Sequence, residues 1–220
     1  EATPFGRWAF KKALAAGMNK IKAEDENRTI PLSYFFWDFV LLKNIRRMLG
    51  MDNLRRGTTG AAPISPELLT WFRAIGVKIF EGYGMSESAG LISLNYEGNH
   101  KNGSVGSVIP GAMLRIGADN EIQYKGGNCF KGYWRKTEKT DETFTSDGWM
   151  KTGDIGLIDD NGFLTITGRM KDIIITAGGK NVTPSELENR LKFSPYISDT
   201  ILIGDGRKFI SCLVMIDQEN

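Results

Sequence analysis

The sequence predicts a mixed fold of the α/β and α+β classes, built from an α/β sheet edge, a small β-barrel and the start of a small α+β unit. The first 102 residues combine helical spacing with a short buried strand. Residues 103–168 alternate short β-type runs with glycine turns. Residues 169–220 follow a strand–helix–strand–strand pattern. We therefore expect one large portion, 1–168, divided at residue 102, and a smaller portion, 169–220.

Two helices are predicted near the start of the chain. Each contains aromatic, lysine and arginine residues at helical spacing. The first helix begins at Trp8, and the second extends from Phe36 to Arg47. The polar stretch from Lys22 to Arg28 predicts a loop, and Gly50 suits a helix end. The apolar run from Leu32 to Leu42 is shorter than the roughly 20 residues that cross a bilayer. It predicts a buried helix, with a helix lying at a membrane surface as the alternative.

A third helix and a strand lead into a glycine-rich turn. Ser65 is a good N-cap, Pro66 suits the first helical position, and Gly76 ends the helix. The residues from Val77 to Phe80 predict a buried strand that runs into Gly82-Tyr-Gly84. Ligands commonly bind at such an edge of an α/β sheet.

The later residues predict strands and one capped helix. Asn161-Gly162 lies between two β-type runs and predicts a hairpin, since both residue types tolerate positive φ. After Arg169, a strand at Ile173–Ile175 precedes a helix that begins at Thr183-Pro184. Two further strands follow, which gives the α+β pattern of the last portion.

Composition excludes several classes of protein. The hydrophobic fraction of 41% is enough for a folded core, and the net charge of +2, from 28 basic and 26 acidic residues, gives no reason to expect nucleic acid. The two cysteines, Cys129 and Cys212, form no metal-binding spacing, and His100 is the one histidine. We expect a reducing, cytoplasmic setting, with membrane association as an alternative.

The octapeptide Glu81-Gly-Tyr-Gly-Met-Ser-Glu-Ser88 carries side chains suited to a nucleotide and a metal ion. Glycines let the backbone approach a ligand, and Tyr83 offers a flat face for a purine. Ser86 offers a hydroxyl to an α-phosphate. Glu87 offers an oxygen ligand to Mg²⁺, which one or two carboxylates and substrate phosphates usually hold. A plain strand and tight turn with solvated polar residues explains this segment equally well.

Two further motifs follow in order: Gly148-Trp-Met-Lys-Thr-Gly-Asp154, and Gly168-Arg169 with Lys171-Asp-Ile-Ile-Ile-Thr-Ala-Gly-Gly-Lys-Asn-Val182. The ordered series closely resembles the adenylate-forming superfamily, which includes acyl-CoA synthetases, luciferases and peptide-synthetase adenylation domains. The resemblance covers nearly the whole chain. It implies the late part of the large AMP-binding domain followed by the start of the small C-terminal domain.

The resemblance also implies roles for individual residues. It assigns the nucleotide to an adenine-side loop and turn, a ribose-binding acid and a pre-hinge arginine: Gly60, Ala61, Ala62, Pro63, Tyr83, Gly84, Asp154 and Arg169. It makes Ser86, Glu87 and Arg169 catalytic, with Glu87 as the Mg²⁺ ligand. The hinge falls at Lys171, and Gly178-Gly179 lie beside CoA. Gly60-Ala-Ala-Pro63 departs from a commoner Gly-Gly-Ala-Pro, which is tolerable if Ala61 has a negative φ.

The long-chain fatty acyl branch matches the aromatic-rich helices before residue 60 and the run Gly84-Met-Ser-Glu-Ser-Ala-Gly90. The implied reaction uses ATP to convert a long-chain fatty acid to its acyl-adenylate and then transfers the acyl group to CoA. Both chain ends look cut, so we expect a fragment that lacks the phosphate-binding loop and the C-terminal lysine, and that is inactive alone. A peripheral membrane contact is kept as an alternative, and no oligomeric state is predicted.

Two other functions remain open at this stage. One is an adenylating ligase that loads a different carboxylate onto a carrier thiol. The other is a catalytically silent module that binds nucleotide or acyl groups. Intact motif residues argue against the second.

Overall fold

A computed structural model describes residues 3–62, 64–192, 194 and 196–217, without the side chain of Glu186. The chain forms two compact units. The first comprises the residues up to Thr59 together with Pro66–Glu81, and the second comprises Gly60–Ser65 together with the residues from Gly82 onward. Helices and sheets are mixed along the chain, which confirms the predicted fold class.

The first unit is mainly helical. Its elements are α1 (Pro4–Asp25), α2 (Leu32–Trp37), a π-helical turn (Asp38–Leu42), α3 (Lys43–Met48), β1 (Gly57–Thr59), α4 (Pro66–Ala74) and the first three residues of β2 (Ile79–Tyr83). The predicted stops at Gly50 and Gly76 are confirmed, since each follows a helix and has a positive φ. The core of this unit consists of Ala13, Tyr34, Leu42, Ile75 and Val77.

Helix α1 is longer than the sequence predicts. The predicted loop from Lys22 to Arg28 is wrong in its first part, because α1 continues to Asp25. Arg73 of α4 contacts the carboxylates of Glu24, at 3.1 Å, and Asp25, at 2.7 Å. These tertiary ion pairs fix the last turn of a segment whose own composition favours a loop.

A close crossing brings α1 against α4. A Cβ atom added to Gly17 would lie 2.1 Å from the carbonyl oxygen of Ala74, so only glycine allows this approach. We expect any larger residue at this position to push the two helices apart.

The apolar run from Leu32 to Leu42 is helical, but its prediction as a buried helix is wrong for most of its length. Within the first unit, Tyr34 and Leu42 are buried. More than half of the surface is exposed for four large side chains of the run: Leu32, Phe35, Phe36 and Phe39. No helix in the described parts of the chain is both long and apolar enough to span a bilayer.

Strand β2 continues through part of the predicted turn. In the first unit, β1 pairs in parallel with Ile79–Glu81, with α4 between the two strands in sequence. In the second unit, Gly82 and Tyr83 extend β2 and pair antiparallel with β3 (Ser93–Leu94). Tyr83 is therefore a strand residue, which fixes the direction of its side chain more firmly than a turn would.

The predicted small β-barrel is a curled half-barrel. Its strands form an antiparallel meander of β5 (Ala112–Ile116), β6 (Glu121–Gly126), β7 (Met150–Ile158) and β8 (Leu164–Arg169). The strand β4 (Ser107–Val108) pairs antiparallel with β3 in another sheet. Hydrogen bonds between Leu164 and both Val105 and Gly106 join the segment before β4 to β8. Helix α5 (Thr137–Thr143) lies in sequence between β6 and β7. The buried residues of this core are Tyr83, Ile92, Ile122, Tyr124, Met150 and Leu164.

The hairpin predicted at Asn161-Gly162 is confirmed, since β7 and β8 pair antiparallel on either side of it. The turn differs from a two-residue turn, because five residues separate the strands and only Gly162 of the pair has a positive φ. Asp159 accepts hydrogen bonds from the amides of Asn161 and Phe163 through Oδ1. That side chain supplies the closure that a second positive-φ residue would otherwise give.

The last elements follow the predicted pattern with one addition. Strand β9 (Ile174–Ile175) pairs with an unpredicted β10 (Asn181–Val182), α6 (Pro184–Lys192) follows, and β11 (Ile197–Ile203) pairs with β12 (Ser211–Ile216). The domain boundaries at residues 102 and 168 remain predictions.

Candidate functional site

Three of the predicted nucleotide-binding side chains are in direct contact within the second unit. The hydroxyl of Tyr83 donates a hydrogen bond to Asp154 Oδ2 at 2.5 Å, and Arg169 Nε donates to Asp154 Oδ1 at 3.0 Å. Asp154 and Arg169 are directly opposite each other on β7 and β8. The carboxylate of Asp154 on β7 therefore accepts hydrogen bonds from one residue of β2 and one residue of β8.

Exposure differs sharply among the three side chains. Tyr83 and Asp154 are 9% and 6% exposed, whereas the side chain of Arg169 is 71% exposed. Burial raises the pKa of the Tyr83 phenol well above its ordinary value, and the hydrogen bond to Asp154 raises this pKa further. The phenol is therefore a permanent donor at neutral pH. Its ring belongs to the core, so in this conformation Tyr83 offers its hydroxyl edge rather than an open face.

The carboxylate of Asp154 keeps acceptor capacity despite its two protein donors. Each carboxylate oxygen has about two lone-pair directions, so four in total, and Tyr83 and Arg169 use one on each oxygen. The remaining directions suit hydroxyl donors such as those of a ribose. The predicted binding of two ribose hydroxyls by Asp154 stays a prediction, and the unused lone pairs are compatible with it.

A local irregularity of the sheet positions Asp154. Gly153 has φ +72°, and its amide donates to Glu121 Oε1 at 3.2 Å. Thr152 donates its hydroxyl to the carbonyl of Ile122 at 2.8 Å and accepts from the amide of Asp154 at 3.1 Å. Glu121 and Thr152 are supporting residues that sequence reasoning missed. The available signal was weak, because Glu121 is the first residue of β6, a strand that also contains Gln123 and Lys125.

The loop that carries Ser86 and Glu87 is held tightly by its own backbone. A Cβ atom on Gly84 would lie 1.5 Å from the carbonyl oxygen of Gly90. The requirement for glycine at this position therefore comes from the loop itself, whereas the sequence suggested close approach to a ligand. Ser86 to Ser88 form one 3₁₀ turn, in which Ser86 is exposed and Glu87 is half-buried.

Contacts from the segment after β6 hold the same loop. Asn128 donates to the carbonyls of Ser88, at 2.6 Å, and Leu91, at 3.0 Å. The hydroxyl of Tyr133 donates to Glu87 Oε1 at 2.6 Å. The hydrogen bond to Glu87 raises the pKa of Tyr133 above its ordinary value. Asn128 and Tyr133 were both missed, because no local pattern joins them to the glycine-rich turn.

The chemistry of a single carboxylate limits the kind of metal site. Among the described residues, no three or more His, Cys, Asp or Glu side chains come together as a metal cluster. Glu87 has one donor on Oε1, and no donor among the described residues contacts its Oε2. A lone half-buried carboxylate fits Mg²⁺, which one or two carboxylates and substrate phosphates hold together. It does not fit a metal that needs a full set of protein ligands.

The adenine-side loop does not meet the condition under which the lost glycine would be tolerable. That condition is a negative φ at Ala61, whose φ is +68°. An alanine in the left-handed region is strained by about 1–2 kcal/mol. Gly60 lies close to the carbonyl of Gly82, Ala62 is exposed, and Pro63 lies outside the described residues.

The remaining predicted residues form no described hydrogen bond with Asp154. Lys171 is exposed in a 3₁₀ turn, Met170–Asp172, between β8 and β9. Gly178 and Gly179 form the turn between β9 and β10, closed by a 2.8 Å hydrogen bond from the amide of Gly179 to the carbonyl of Thr176. No hydrogen bond among the described residues joins Gly178, Gly179 or Glu87 to Asp154. Their roles stay predictions.

A separate apolar cavity lies among the last elements. Its volume is about 290 Å³, and it is lined by Leu187, Arg190, Leu191, Leu202, Ile210, Ser211 and Cys212. None of the predicted site residues lines it, so it adds nothing to the nucleotide site.

Comparisons with known proteins give matches along most of the chain. The profile described as AMP-binding enzyme matches residues 10–134, and the profile described as AMP-binding enzyme C-terminal domain matches residues 171–220. The chain is 46% identical over 183 residues to the long-chain-fatty-acid–CoA ligase FadD15 of Mycobacterium bovis. That match covers 83% of this chain and 30% of the relative, so the chain spans about a third of the relative's length.

Two solved structures resemble the chain. The crystal structure of ATP-bound MatB from Rhodopseudomonas palustris has a TM-score of 0.69 and 32% identity, and the match covers 84% of this chain and 40% of that one. The O-succinylbenzoate coenzyme A synthetase MenE from Bacillus subtilis, in complex with ATP and a magnesium ion, has a TM-score of 0.66 and 29% identity. This second match covers 74% of the present chain and 36% of the MenE chain.

Proposed function

This chain belongs to the AMP-binding enzyme family, and from that premise we propose that the whole protein is a long-chain fatty acid–CoA ligase of the AMP-forming type. The predicted resemblance to the adenylate-forming superfamily is confirmed. The contact of Tyr83, Asp154 and Arg169 around one buried carboxylate is the observation that supports an adenosine site. The identity to a long-chain-fatty-acid–CoA ligase supports the acyl substrate.

The proposed reaction has two steps. A carboxylate oxygen of the fatty acid attacks the α-phosphorus of ATP, the bond to the bridging oxygen breaks, and pyrophosphate leaves. The CoA sulfur then bonds to the acyl carbon, the bond to the phosphate oxygen breaks, and AMP leaves, while the thiol proton passes to solvent. Bound Mg²⁺ would offset negative charge on the phosphates during the first step.

Each predicted residue has one task in this proposal. Asp154 accepts the ribose hydroxyls, and Arg169, whose fork of donors is exposed, reaches the ribose or phosphates. Ser86 donates its exposed hydroxyl to the α-phosphate, and Glu87 holds the magnesium ion. Lys171 is the hinge about which the small domain rotates between the two half-reactions. Gly178-Gly179 contact CoA in the second half-reaction. The adenine lies against Gly60–Pro63 and the backbone of Tyr83-Gly84, where β2 ends.

A cytoplasmic location belongs to the same proposal, supported by the free thiols of Cys129 and Cys212. The exposed stripe of Leu32, Phe35, Phe36 and Phe39 supports a peripheral membrane contact as a further element of it. Both are separate from the reaction itself.

A pyrophosphate-exchange assay on the full-length protein tests the proposal. We expect exchange that depends on a long-chain fatty acid such as palmitate, followed by palmitoyl-CoA formation when CoA is added. Exchange with aryl acids or amino acids instead would establish the alternative, a ligase for a different carboxylate. Binding of AMP without any exchange would establish a silent module.

The variant Glu87→Ala tests the magnesium assignment within this assay. We expect exchange to fall about a hundred- to a thousandfold, the usual loss when an electrostatic group of this kind is removed. Glu142→Ala is the matched control, because Glu142 is an exposed glutamate of α5. Unchanged exchange in Glu87→Ala would remove Glu87 from the site.

A further inference from the structure

Tyr133 joins the glycine-rich loop to the segment after β6 at the residue proposed to hold the magnesium ion. Its hydroxyl donates to Glu87 Oε1 at 2.6 Å, a short distance of the kind found when the acceptor is charged. The backbone carbonyl of Glu87 accepts a second hydrogen bond, at 2.7 Å, from the amide of Phe130. Glu87 is thus tied to the same segment through both its main chain and its side chain.

The tyrosine is itself held in place, although it is 38% exposed. Its amide donates to Thr140 Oγ1 at 2.9 Å. Its ring packs edge-on against Phe130, with centroids 4.8 Å apart, and Phe130 in turn stacks on Phe144 at 5.8 Å. A phenol anchored in this way has few alternative positions, so it restricts the carboxylate to which it donates.

The geometry leaves the second oxygen of Glu87 for a ligand. Tyr133 contacts Oε1, and no donor among the described residues contacts Oε2. A carboxylate can accept a hydrogen bond on one oxygen while its other oxygen binds a cation. The hydrogen bond and metal binding are therefore compatible.

We propose that Tyr133 is a positioning residue, which holds the carboxylate of Glu87 in the rotamer that presents Oε2 to the magnesium ion of bound ATP. This inference rests on the proposed function. A free glutamate side chain loses rotamer freedom when it binds a metal, and Tyr133 removes most of that freedom in advance. In this proposal Tyr133 acts through Glu87 and not on the reacting atoms.

The variant Tyr133→Phe removes only the hydroxyl and keeps the ring contacts. We expect the Mg²⁺ concentration for half-maximal pyrophosphate exchange to rise about three- to tenfold, which is the effect of releasing the rotamers of one carboxylate side chain. At saturating Mg²⁺ we expect kcat to stay within about twofold, because the reacting groups are unchanged. The matched control is Tyr96→Phe, since Tyr96 is a half-exposed tyrosine of the same unit.

A binding measurement without turnover separates positioning from general damage. Electron paramagnetic resonance of Mn²⁺, titrated into the full-length protein with a non-hydrolysable ATP analogue, should show the same three- to tenfold weaker binding in Tyr133→Phe. Thr140→Val removes the hydrogen bond to the Tyr133 amide but keeps its phenol, and we expect a smaller shift in Mn²⁺ affinity. A loss of kcat with unchanged metal dependence would overturn the inference and indicate a merely structural role.

The results distinguish a failure of the proposed function from a failure of the role assigned to Tyr133. Wild-type protein that shows no fatty-acid-dependent exchange would contradict the proposed function. Active wild-type protein, with Tyr133→Phe matching it in both Mg²⁺ dependence and Mn²⁺ affinity, would overturn only the role of Tyr133.

Discussion

Removal of the Tyr83 hydroxyl is expected to destabilise the half-barrel around Asp154. In Tyr83→Phe the carboxylate of Asp154, which is 6% exposed, loses the donor at 2.5 Å and keeps Arg169. Hydrogen bonds to charged groups contribute about 1.5–3 kcal/mol, and a buried acceptor left without its partner pays the full desolvation cost. We therefore expect the free energy of opening β7 and β8 to fall by about 1.5–3 kcal/mol.

Native-state hydrogen exchange of the full-length protein measures this change. Since about 1.4 kcal/mol corresponds to a factor of ten, amides of β7 and β8 should exchange about ten- to a hundredfold faster in Tyr83→Phe. Tyr124→Phe is the matched control, because the buried hydroxyl of Tyr124 donates at the same 2.5 Å to a neutral acceptor, Asn128. There we expect a loss of about 0.5–1.5 kcal/mol. An equal or larger loss in Tyr124→Phe would refute the reasoning that the charge of Asp154 sets the magnitude.

Three other changes have defined outcomes. Ala61→Gly should raise the free energy of unfolding by about 0.5–1 kcal/mol, because it relieves a positive φ at the cost of some unfolded-state entropy; a lower Tm would contradict this. The pKa of Tyr83 is raised in the folded state, and that of Tyr34 is raised to about 12, so folding stability should be full below about pH 10 and decline as the pH rises towards the folded-state values. Urea melts from pH 9 to 11 should show this slope, shallower in Tyr83→Phe. Lys171→Pro should impair thioester formation more than adenylation, and equal losses in the two half-reactions would argue against a hinge.

The strands between residues 107 and 169 were predictable because their signal is local. Residues 107–108, 113–116, 121–124 and 155–158 alternate or cluster in ways typical of strands, and each range lies in or overlaps an observed strand. The stop signals at Gly50 and Gly76 were equally local. In contrast, the extra turn of α1 depends on Arg73, which is 48 residues from Asp25 in sequence. No local pattern contains that information.

The candidate site was likewise predictable in its local motifs and not in its long-range contacts. Motif spacing pointed to Tyr83, Asp154 and Arg169, yet Tyr83 and Asp154 are 71 residues apart, and their hydrogen bond appears only once β2 and β7 are placed. The same holds for Tyr133 and Glu87, which are 46 residues apart. The positive φ of Ala61 was also beyond prediction, because alanine rarely adopts it and the surrounding backbone imposes it.

The contact between Gly84 and Gly90 restricts how this loop can change by mutation. Since a methyl group at Gly84 would overlap the carbonyl oxygen of Gly90, every substitution there must open the loop that carries Glu87. Ala89 of the same loop is exposed, but its φ of +51° lies in the left-handed region, which larger L-residues rarely adopt. A library that aims to alter ligand preference should therefore leave Gly84 fixed, so that its variants differ in chemistry and retain a common backbone.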